Sequence, residues 1–263
     1  MLLPRHDAAA VEPWAIRPWP SVLVTWGPGG VSEPHAHHCW HVLIGLDAPL
    51  VVREREAGRG RRAWVVVTRP DARHAIDARS TRTAILFVEP ESELGARLAA
   101  GLPRRAVVTF DGDVAAAMVA TAQQVVRDPS RAAARVDEVL TALGATTRGV
   151  KPRHPGVRRV LRYLRESPPD ADASLEVLAA LAQLSPGRLM HVFTEAVGVP
   201  LRPYLRWLKV ERAATALAAG AKLTDAAVTA GFSDAAHMTR TFRSMFGVTP
   251  SSLRRRSQSV QDR

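Results

Sequence analysis

Four histidines and the only cysteine of the chain lie within the eight residues PHAHHCWH at positions 34–41. If this stretch is extended, side chains two residues apart point to the same face, so His35, His37, Cys39 and His41 share one face. Imidazole and thiolate groups bind zinc, iron, nickel and copper. The residue types therefore allow three interpretations: a metal site, a metal-free pocket for a small molecule, or buried structural histidines.

The excess of positive charge lies at the other end of the chain. The formal net charge of the whole sequence is +11. Residues 151–263 contain 18 Lys and Arg against 9 Asp and Glu, whereas residues 1–150 contain 18 against 16. A basic C-terminal part of this kind favours a partner that is rich in phosphates, such as double-stranded DNA.

The composition argues against a membrane protein and against an exported one. No run approaches the roughly 18 apolar residues of a membrane span, and the N-terminus lacks a basic-then-apolar signal pattern. A single cysteine excludes an intramolecular disulfide, as is usual in a reducing compartment. We therefore expect a cytoplasmic protein that does not contact a membrane.

The elements that must position the histidines are short strands. Runs rich in β-branched and aliphatic residues, separated by Gly, Pro and Asp, predict strands over 21–26, 40–46, 49–55, 62–68 and 83–89. Such strands without intervening helices favour an antiparallel sandwich or a small barrel. Ala-rich patterns with helical spacing follow from residue 91. The polar stretch 146–156, which contains Gly and Pro, predicts a linker.

The residues around the histidines resemble a known motif. Gly29 and Gly30 precede the first histidines, and Pro70 precedes a later one, His74. This order resembles that of the metal-binding cupins, which are double-stranded β-barrels, although His41 stands where cupins have a glutamate and Pro70 is one residue closer to the later histidine than usual. The resemblance implies an effector-sensing barrel over residues 1–145. Its pocket would be lined by His35, His37, His41, His74, Trp26, Trp40 and Trp64, and the four histidines are the possible metal ligands.

The C-terminal part contains an internal repeat with an offset of 49 residues. Residues 184–200 and 233–250 share a capping residue, two apolar residues four and eight positions later, and a glycine after thirteen. The paired positions are Ser185 and Asp234, Leu189 and Met238, Phe193 and Phe242, Gly198 and Gly247. Ser and Asp cap helix starts, and glycine ends helices in the left-handed conformation. Because short apolar helices over 174–183 and 224–232 precede the two copies, each copy predicts a helix-turn-helix unit.

The repeat and the segment between its copies resemble the AraC family of bacterial transcriptional regulators over about residues 155–256. The resemblance implies an α+β chain of two domains: the cupin-like antiparallel β-barrel with helices, then an all-α tandem helix-turn-helix domain over residues 157–263. A long helix over residues 200–219 would join the two units. The two recognition helices would enter successive segments of the major groove, about 34 Å apart.

Residues on the outer face near the start of each recognition helix are the candidate base readers. They are Ser185, Gly187, Arg188, Met190 and His191 in the first copy, and Ala236, His237, Thr239 and Arg240 in the second. Arginine can form two hydrogen bonds to guanine, which makes Arg240 the leading candidate. Gly187 and Met190 offer no polar reading group, so we expect the second unit to carry most of the discrimination.

Other basic residues are candidates for contacts with phosphates. Such contacts set the register and the salt dependence of binding rather than its sequence preference. The candidates are Arg202, Arg206, Lys209, Arg212, Arg243 and the run from Arg254 to Arg256.

These patterns predict a ligand-responsive regulator, whose effector would be a small molecule or a metal ion. The family leans towards activation, and by analogy the helices after residue 91 would pair two subunits in a homodimer that contacts RNA polymerase. Two alternatives stay open: a metal-responsive regulator in which the histidines carry the signal, and a metal-dependent cupin enzyme with a DNA-binding tail. The enzyme needs an acid or base in the pocket, and Glu33, Glu54 and Glu56 lie in charged contexts outside it. We therefore expect no enzymatic activity, and no cofactor other than a possible transition metal.

Overall fold

The structure, a computed structural model, describes residues 15–19, 22–54, 58–128, 132–144 and 154–251. Its N-terminal strands are β1 (Ala15–Trp19), β2 (Val22–Pro28), β3 (Trp40–Gly45), β4 (Leu50–Arg53), β5 (Arg61–Ala63), β6 (Val65–Thr68), β7 (Ala75–Asp77), β8 (Arg82–Val88) and β9 (Val107–Phe110). They form two antiparallel sheets, ordered β1-β2-β8-β3-β6-β9 and β5-β4-β7. The described strands thus build a two-sheet sandwich and do not close into the barrel that the cupin resemblance implied.

Three helices cover the outer face of the large sheet: α1 (Glu93–Gly101), α2 (Gly112–Arg127) and α3 (Ala132–Ala142). Alternation along β2 and β3 sends Trp26, Trp40 and Val42 into this core, where they meet side chains of the three helices. Trp64 packs against the same core. The structure therefore corrects the expectation that the three tryptophans line the histidine pocket, because Trp26 and Trp40 lie on the face of the sheet opposite to His41.

The C-terminal half consists of helices α4 (Pro155–Glu166), α5 (Leu175–Ala182), α6 (Pro186–Val197), α7 (Leu201–Ala218), α8 (Leu223–Thr229) and α9 (Ala235–Phe246). One core joins α4, α5, α6 and the first half of α7, and a second core joins the rest of α7 with α8 and α9. Helix α7 therefore connects two helix-turn-helix units, as predicted. Helix α4 begins two residues before the predicted domain start, and most of the predicted linker lies outside the described residues.

Both recognition helices, α6 and α9, begin and end as the repeat predicts. Ser185 and Asp234 accept hydrogen bonds from backbone N–H groups in the first turn of their helices. Gly198 and Gly247 end the helices with φ angles of 92° and 67°, a left-handed conformation that favours glycine. None of the helices in the described part of the chain is long and apolar enough to cross a membrane.

Candidate effector pocket and DNA-reading helices

The four predicted histidines meet at the end of the sandwich. Strand β3 carries His41, and two backbone hydrogen bonds of 2.9 Å between His35 and His74 bring two loop segments together beside it. One imidazole nitrogen each of His35, His37 and His74 lies within 4.8 Å of the others. Nδ1 of His41 lies 3.2 Å from Nε2 of His37 and 3.3 Å from Nε2 of His74. The histidines share a cavity, although most of the segment before β3 is not a strand as the argument from parity assumed.

Two of these imidazoles have a fixed orientation. Nδ1 of His35 donates to the carbonyl of Glu33 at 2.7 Å, and Nδ1 of His74 donates to the carbonyl of Ala72 at 2.8 Å. A carbonyl oxygen only accepts hydrogen bonds, so both imidazoles carry their hydrogen on Nδ1. Each therefore presents the lone pair of Nε2 to the cluster.

His37 and His41 form the buried centre of the cluster. Nδ1 of His37 lies 3.1 Å from Sγ of Cys39, and Nε2 of His41 has no hydrogen-bond partner among the described residues. Burial, and then repulsion by neighbouring imidazoles, lowers the pKa of both histidines well below its ordinary value. The same two causes lower the pKa of His74 to about 4. These imidazoles are therefore neutral at physiological pH, and their lone pairs are open to a metal ion or a hydrogen-bond donor.

His38 points away from the cluster into an ionic environment. Its Nδ1 lies 2.9 Å from a carboxylate oxygen of Asp71, and its Nε2 lies 3.0 Å from one of Glu91. Burial alone would lower the pKa of His38, but the two carboxylates raise it to about 9. His38 is thus charged at neutral pH, and its ring packs against Tyr204 of α7 with 5.9 Å between the centroids.

A largely apolar cleft lies beside the cluster, between the sandwich and the helical domain. It encloses about 870 Å³ of empty space, which includes open solvent at its mouth. From the N-terminal domain it is lined by His35, His41, Leu43, Ile85 and Phe87, and from the helical domain by Ala214, Phe242, Phe246 and Val248. None of the described residues that line it carries a charged Asp, Glu, Lys or Arg side chain. Both domains therefore supply its walls.

Helix α9 touches the N-terminal domain next to this cleft, at a place that we name the α9 contact. The carboxylate of Glu33 accepts a hydrogen bond of 2.6 Å from Arg243, and the N–H of Glu33 donates to the carbonyl of Gly247 at 3.1 Å. A Cβ atom at Gly247 would lie 2.5 Å from the carbonyl oxygen of Glu33, so this close approach requires glycine. The ring of Phe246 lies 5.7 Å from that of Phe87. The ionic part of the contact is exposed, whereas its aromatic part faces the cleft.

Helix α4 makes a second connection between the domains, which we name the α4 contact. The guanidinium of Arg165 pairs with Glu89 after β8, donates to the hydroxyl of Tyr204 at 3.1 Å and lies 3.8 Å from a carboxylate oxygen of Glu211. Burial raises the pKa of Glu89 and of Glu211, while the neighbouring Arg165 opposes the rise. Three-quarters of the Arg165 side chain and most of the Glu89 side chain are shielded from solvent. The α4 contact is therefore a network of one arginine, carboxyl groups and a tyrosine that is shielded from bulk water.

The predicted base readers lie on the outer faces of α6 and α9. Those that the structure places in exposed positions are Ser185, Gly187, Arg188, Met190, His191, Ala236, His237 and Arg240. Thr239 is half-buried, and its hydroxyl donates to the carbonyl of Ala235 at 2.7 Å. Nδ1 of His237 lies 3.1 Å from the hydroxyl of Ser233, which orients its ring at the start of α9.

The candidate phosphate contacts fall into two groups. Arg202 and Arg206 on α7 are exposed. The other three have partners within the chain: Lys209 donates to the carbonyl of Gly231 at 2.7 Å, Arg212 to that of Leu164 at 2.8 Å, and Arg243 to Glu33. The predicted phosphate contacts of Arg254 to Arg256 lie outside the described residues. A phosphate contact by Arg243 would thus require it to leave Glu33.

Comparison with known proteins identifies the helical domain. A family model described as a helix-turn-helix domain matches residues 178–256. The match includes both recognition helices, α6 and α9, and the helix α7 between them. The transcriptional activator NphR of Rhodococcus sp is 34% identical to the chain over 131 residues, which cover 48% of this chain and 39% of NphR. The chain therefore matches less than half of the length of this relative.

The whole arrangement of the helical domain and the sandwich is similar to solved structures. ToxT from Vibrio cholerae O395 superimposes with a TM-score of 0.60 at 9% identity, over 91% of this chain and 99% of ToxT. A structure of ToxT from strain SCE256 with a bound unsaturated fatty acid gives 0.59 at 10% identity, over 93% and 98%. The predicted two-domain α+β fold, with a β-rich N-terminal part and a helical C-terminal part, is confirmed.

Sequence reasoning did not find the apolar walls of the cleft or the two contacts between the domains. Alternation along β3 could have found Leu43, which shares a face with His41. Glu33 appeared only as a carboxylate in a charged context, because nothing local links it to Arg243, 210 positions later. Arg165 and Glu89 are separated by 76 positions and likewise carry no local signal.

Proposed function

We propose that the chain is a sequence-specific DNA-binding transcriptional regulator whose N-terminal domain binds an effector that changes how the AraC-type domain is held. The observation that carries this proposal is the cleft, because its walls come from both domains. A molecule in it would touch Ile85 and His41 on one side and Phe246 on the other. A ligand that binds better to one arrangement of α9 shifts the population towards that arrangement.

DNA recognition would use α6 and α9 in adjacent segments of the major groove. Both helices expose the residues near their N-termini, where a recognition helix meets base edges. Arg240 is exposed and offers the two-bond contact with guanine, whereas Met190 presents an apolar surface in the first unit. We therefore assign most of the discrimination between sequences to α9.

The lining of the cleft favours a neutral and mainly apolar effector. Its imidazoles are neutral, and its described walls contain no Lys or Arg to pair with an anion. The bound fatty acid of ToxT has an apolar chain that would suit such walls, but its carboxylate would lack a cationic partner here. An apolar compound with one hydrogen-bonding group directed at an imidazole fits better.

The remaining parts of the proposal rest on analogy. NphR is a transcriptional activator, and we extend activation, with contact to RNA polymerase, to this chain. We also propose a homodimer that forms through α2, which exposes Val114, and a location in the cytoplasm, where the DNA is. A metal-dependent enzyme is less well supported, because Glu33 and Glu54 are exposed and paired with arginines; Glu56 lies outside the described residues.

Selection of binding sites from a random DNA library tests DNA recognition with the purified full-length chain. We expect one sequence family to be enriched, and Arg240→Ala to relax that preference at one base pair. Arg158→Ala is the matched control, since Arg158 is an exposed arginine of α4. If the wild type enriches no sequence, the proposed function is wrong.

A thermal-shift screen of neutral apolar compounds tests the effector. A compound that raises the Tm should also change the affinity of the chain for the selected DNA, because both domains line the cleft. Compounds that raise the Tm without any effect on DNA affinity would contradict the proposed coupling.

A further inference from the structure

The imidazole nitrogens of the histidine cluster lie closer together than the lining of a pocket for an organic molecule requires. We propose that His35, His37, His41 and His74 bind one divalent transition-metal ion, best Zn²⁺, and that the bound ion stabilises the α9 contact. The first part concerns the chain alone. The second part rests on the proposed function.

The spacing of the nitrogens fits a tetrahedral ion. Zinc binds imidazole nitrogen at about 2.0–2.1 Å in a tetrahedral arrangement, which places neighbouring ligand nitrogens about 3.3 Å from one another. Nδ1 of His41 lies 3.2 Å and 3.3 Å from Nε2 of His37 and of His74. Nitrogens of His35, His37 and His74 all lie within 4.8 Å. His41 lies outside this group of three and joins the proposed site through its short distances to His37 and His74.

Hydrogen bonds alone do not account for these short distances. Nε2 of His74 has only a lone pair, because its Nδ1 donates to Ala72. Nδ1 of His41 carries at most one hydrogen, yet it lies close to Nε2 atoms of two other imidazoles. One hydrogen cannot be directed along both contacts, so at least one pair of nitrogens is left poorly satisfied in a buried place, which is costly. A cation at the centre attracts all the lone pairs at once.

The surroundings hold three of the four imidazoles in the orientation of metal ligands. In metal sites the second nitrogen of a ligating histidine usually donates to a carbonyl or another acceptor, which fixes the ring and its hydrogen. Here the carbonyls of Glu33 and Ala72 accept from His35 and His74. Sγ of Cys39 lies 3.1 Å from Nδ1 of His37 and can accept in the same way.

The cluster is connected to α9 through Glu33. The carbonyl of Glu33 holds His35, its N–H donates to the carbonyl of Gly247, and its carboxylate binds Arg243. The ring of His37 also lies 6.0 Å from that of Phe246 at the end of α9. An ion that fixes His35 therefore fixes the peptide on which α9 rests. The metal-bound chain should hold Arg243 on Glu33 and away from DNA phosphates.

Metal titration of the full-length chain, purified without a metal-affinity tag and stripped with a chelator, tests the site. We expect one equivalent of Zn²⁺ by elemental analysis, and a visible absorption spectrum of four-coordinate Co²⁺ when Co²⁺ is added instead. A wild-type chain that binds neither ion, or that gives only an octahedral Co²⁺ spectrum, would overturn the site whatever the variants do.

Variants assign the ligands. His37→Ala and His74→Gln should each weaken Zn²⁺ binding at least about tenfold, with circular dichroism to confirm that they are folded. His191→Ala is the matched control, because His191 is exposed on α6 and should bind Zn²⁺ as the wild type does. If the folded cluster variants also bind as the wild type does, the ion lies elsewhere and the assignment is wrong.

The DNA affinity of the metal-free chain, measured before and after addition of Zn²⁺, tests the coupling. We expect Zn²⁺ to weaken binding to the selected DNA at least about threefold in the wild type and to have no effect in His37→Ala. Unchanged or tighter binding would overturn the coupling and leave the site in place. If the chain binds no DNA at all, the proposed function fails, and the stoichiometry still decides the metal site.

Discussion

The two contacts between the domains differ in kind. At the α4 contact, Arg165 lies among a tyrosine and three carboxyl groups, those of Glu89, Glu91 and Glu211, largely away from solvent. At the α9 contact, the ionic pair of Glu33 with Arg243 is more than half exposed on both sides, and the remaining area faces a cleft. Paired charges that are shielded from water are costly to separate, whereas an exposed pair contributes little. The α4 contact therefore holds the helical domain on the N-terminal domain, and we call it the anchor. The α9 contact is the one that can separate.

Because of this difference, we expect an effector to act on the second helix-turn-helix unit, to which we assign most of the discrimination between DNA sequences. The first unit, with α6, packs directly on α4 and is held by the anchor. The second unit carries Arg240 and meets the N-terminal domain through the weaker contact. A ligand or ion near His35 therefore acts on the helix that reads most of the sequence, while the first unit keeps its place.

The largest effect should come from breaking the anchor. Arg165→Ala leaves Glu89 and Glu211 in a mostly buried place without the cation that they share, and we expect the free energy of unfolding to fall by about 3 kcal/mol. Urea denaturation measures it. Arg82→Ala is the control, because Arg82 forms an exposed pair with Asp47 and should cost about 1 kcal/mol or less. Equal losses in the two variants would mean that the α4 contact is no stronger than a surface pair.

The next effect concerns the two reading helices. Arg240→Ala should weaken binding to the selected DNA by about 2 kcal/mol, roughly 30-fold, and relax the preference at one base pair. Arg188→Ala on α6 should weaken binding uniformly across sequences and by less. Fluorescence anisotropy with the selected site and single-base variants measures both. A change of base preference in Arg188→Ala, with none in Arg240→Ala, would reverse the assignment of the two units.

The sequence could predict what is encoded locally. Ser185, Asp234, Gly198 and Gly247 mark helix ends through their own backbone preferences, so the repeat located α6 and α9 to within a residue. The grouping of the four histidines was also predicted, but the strand alternation on which that prediction rested is largely absent, because most of the segment before β3 is not a strand and His35 pairs with His74 through an isolated bridge.

What the sequence could not predict depends on distant partners. Trp26 and Trp40 are equally suited to a pocket or a core, and only the packing of α1, α2 and α3 on the large sheet decides between the two. The pairs Glu33–Arg243 and Arg165–Glu89 involve common charged residues, and many other pairings are compatible with the same sequence. The cleft has walls from both domains, so it exists only once the domains are docked.

A smaller effect is expected from filling the cleft. Ile85→Trp places a larger side chain between the sheet and α9 in the cleft that Phe246 also lines. We expect an effector found in the thermal-shift screen to lose at least about tenfold in affinity, since its space is occupied. Isothermal titration calorimetry measures this loss, and Val228→Trp, on the exposed surface of α8, is the control. An unchanged affinity in Ile85→Trp would place the effector elsewhere.

The smallest effect is expected from a substitution at the α9 contact. Glu33→Gln keeps the backbone bonds to His35 and Gly247 but removes the charge that holds Arg243. Because this pair is exposed, we expect DNA affinity to rise only about twofold, and the salt dependence to steepen by about one phosphate contact as Arg243 reaches the DNA. Glu54→Gln removes an exposed pair with Arg61 in the N-terminal domain and should change neither quantity. If Glu33→Gln behaves like this control, Arg243 does not exchange between Glu33 and DNA, and α9 opens by another route.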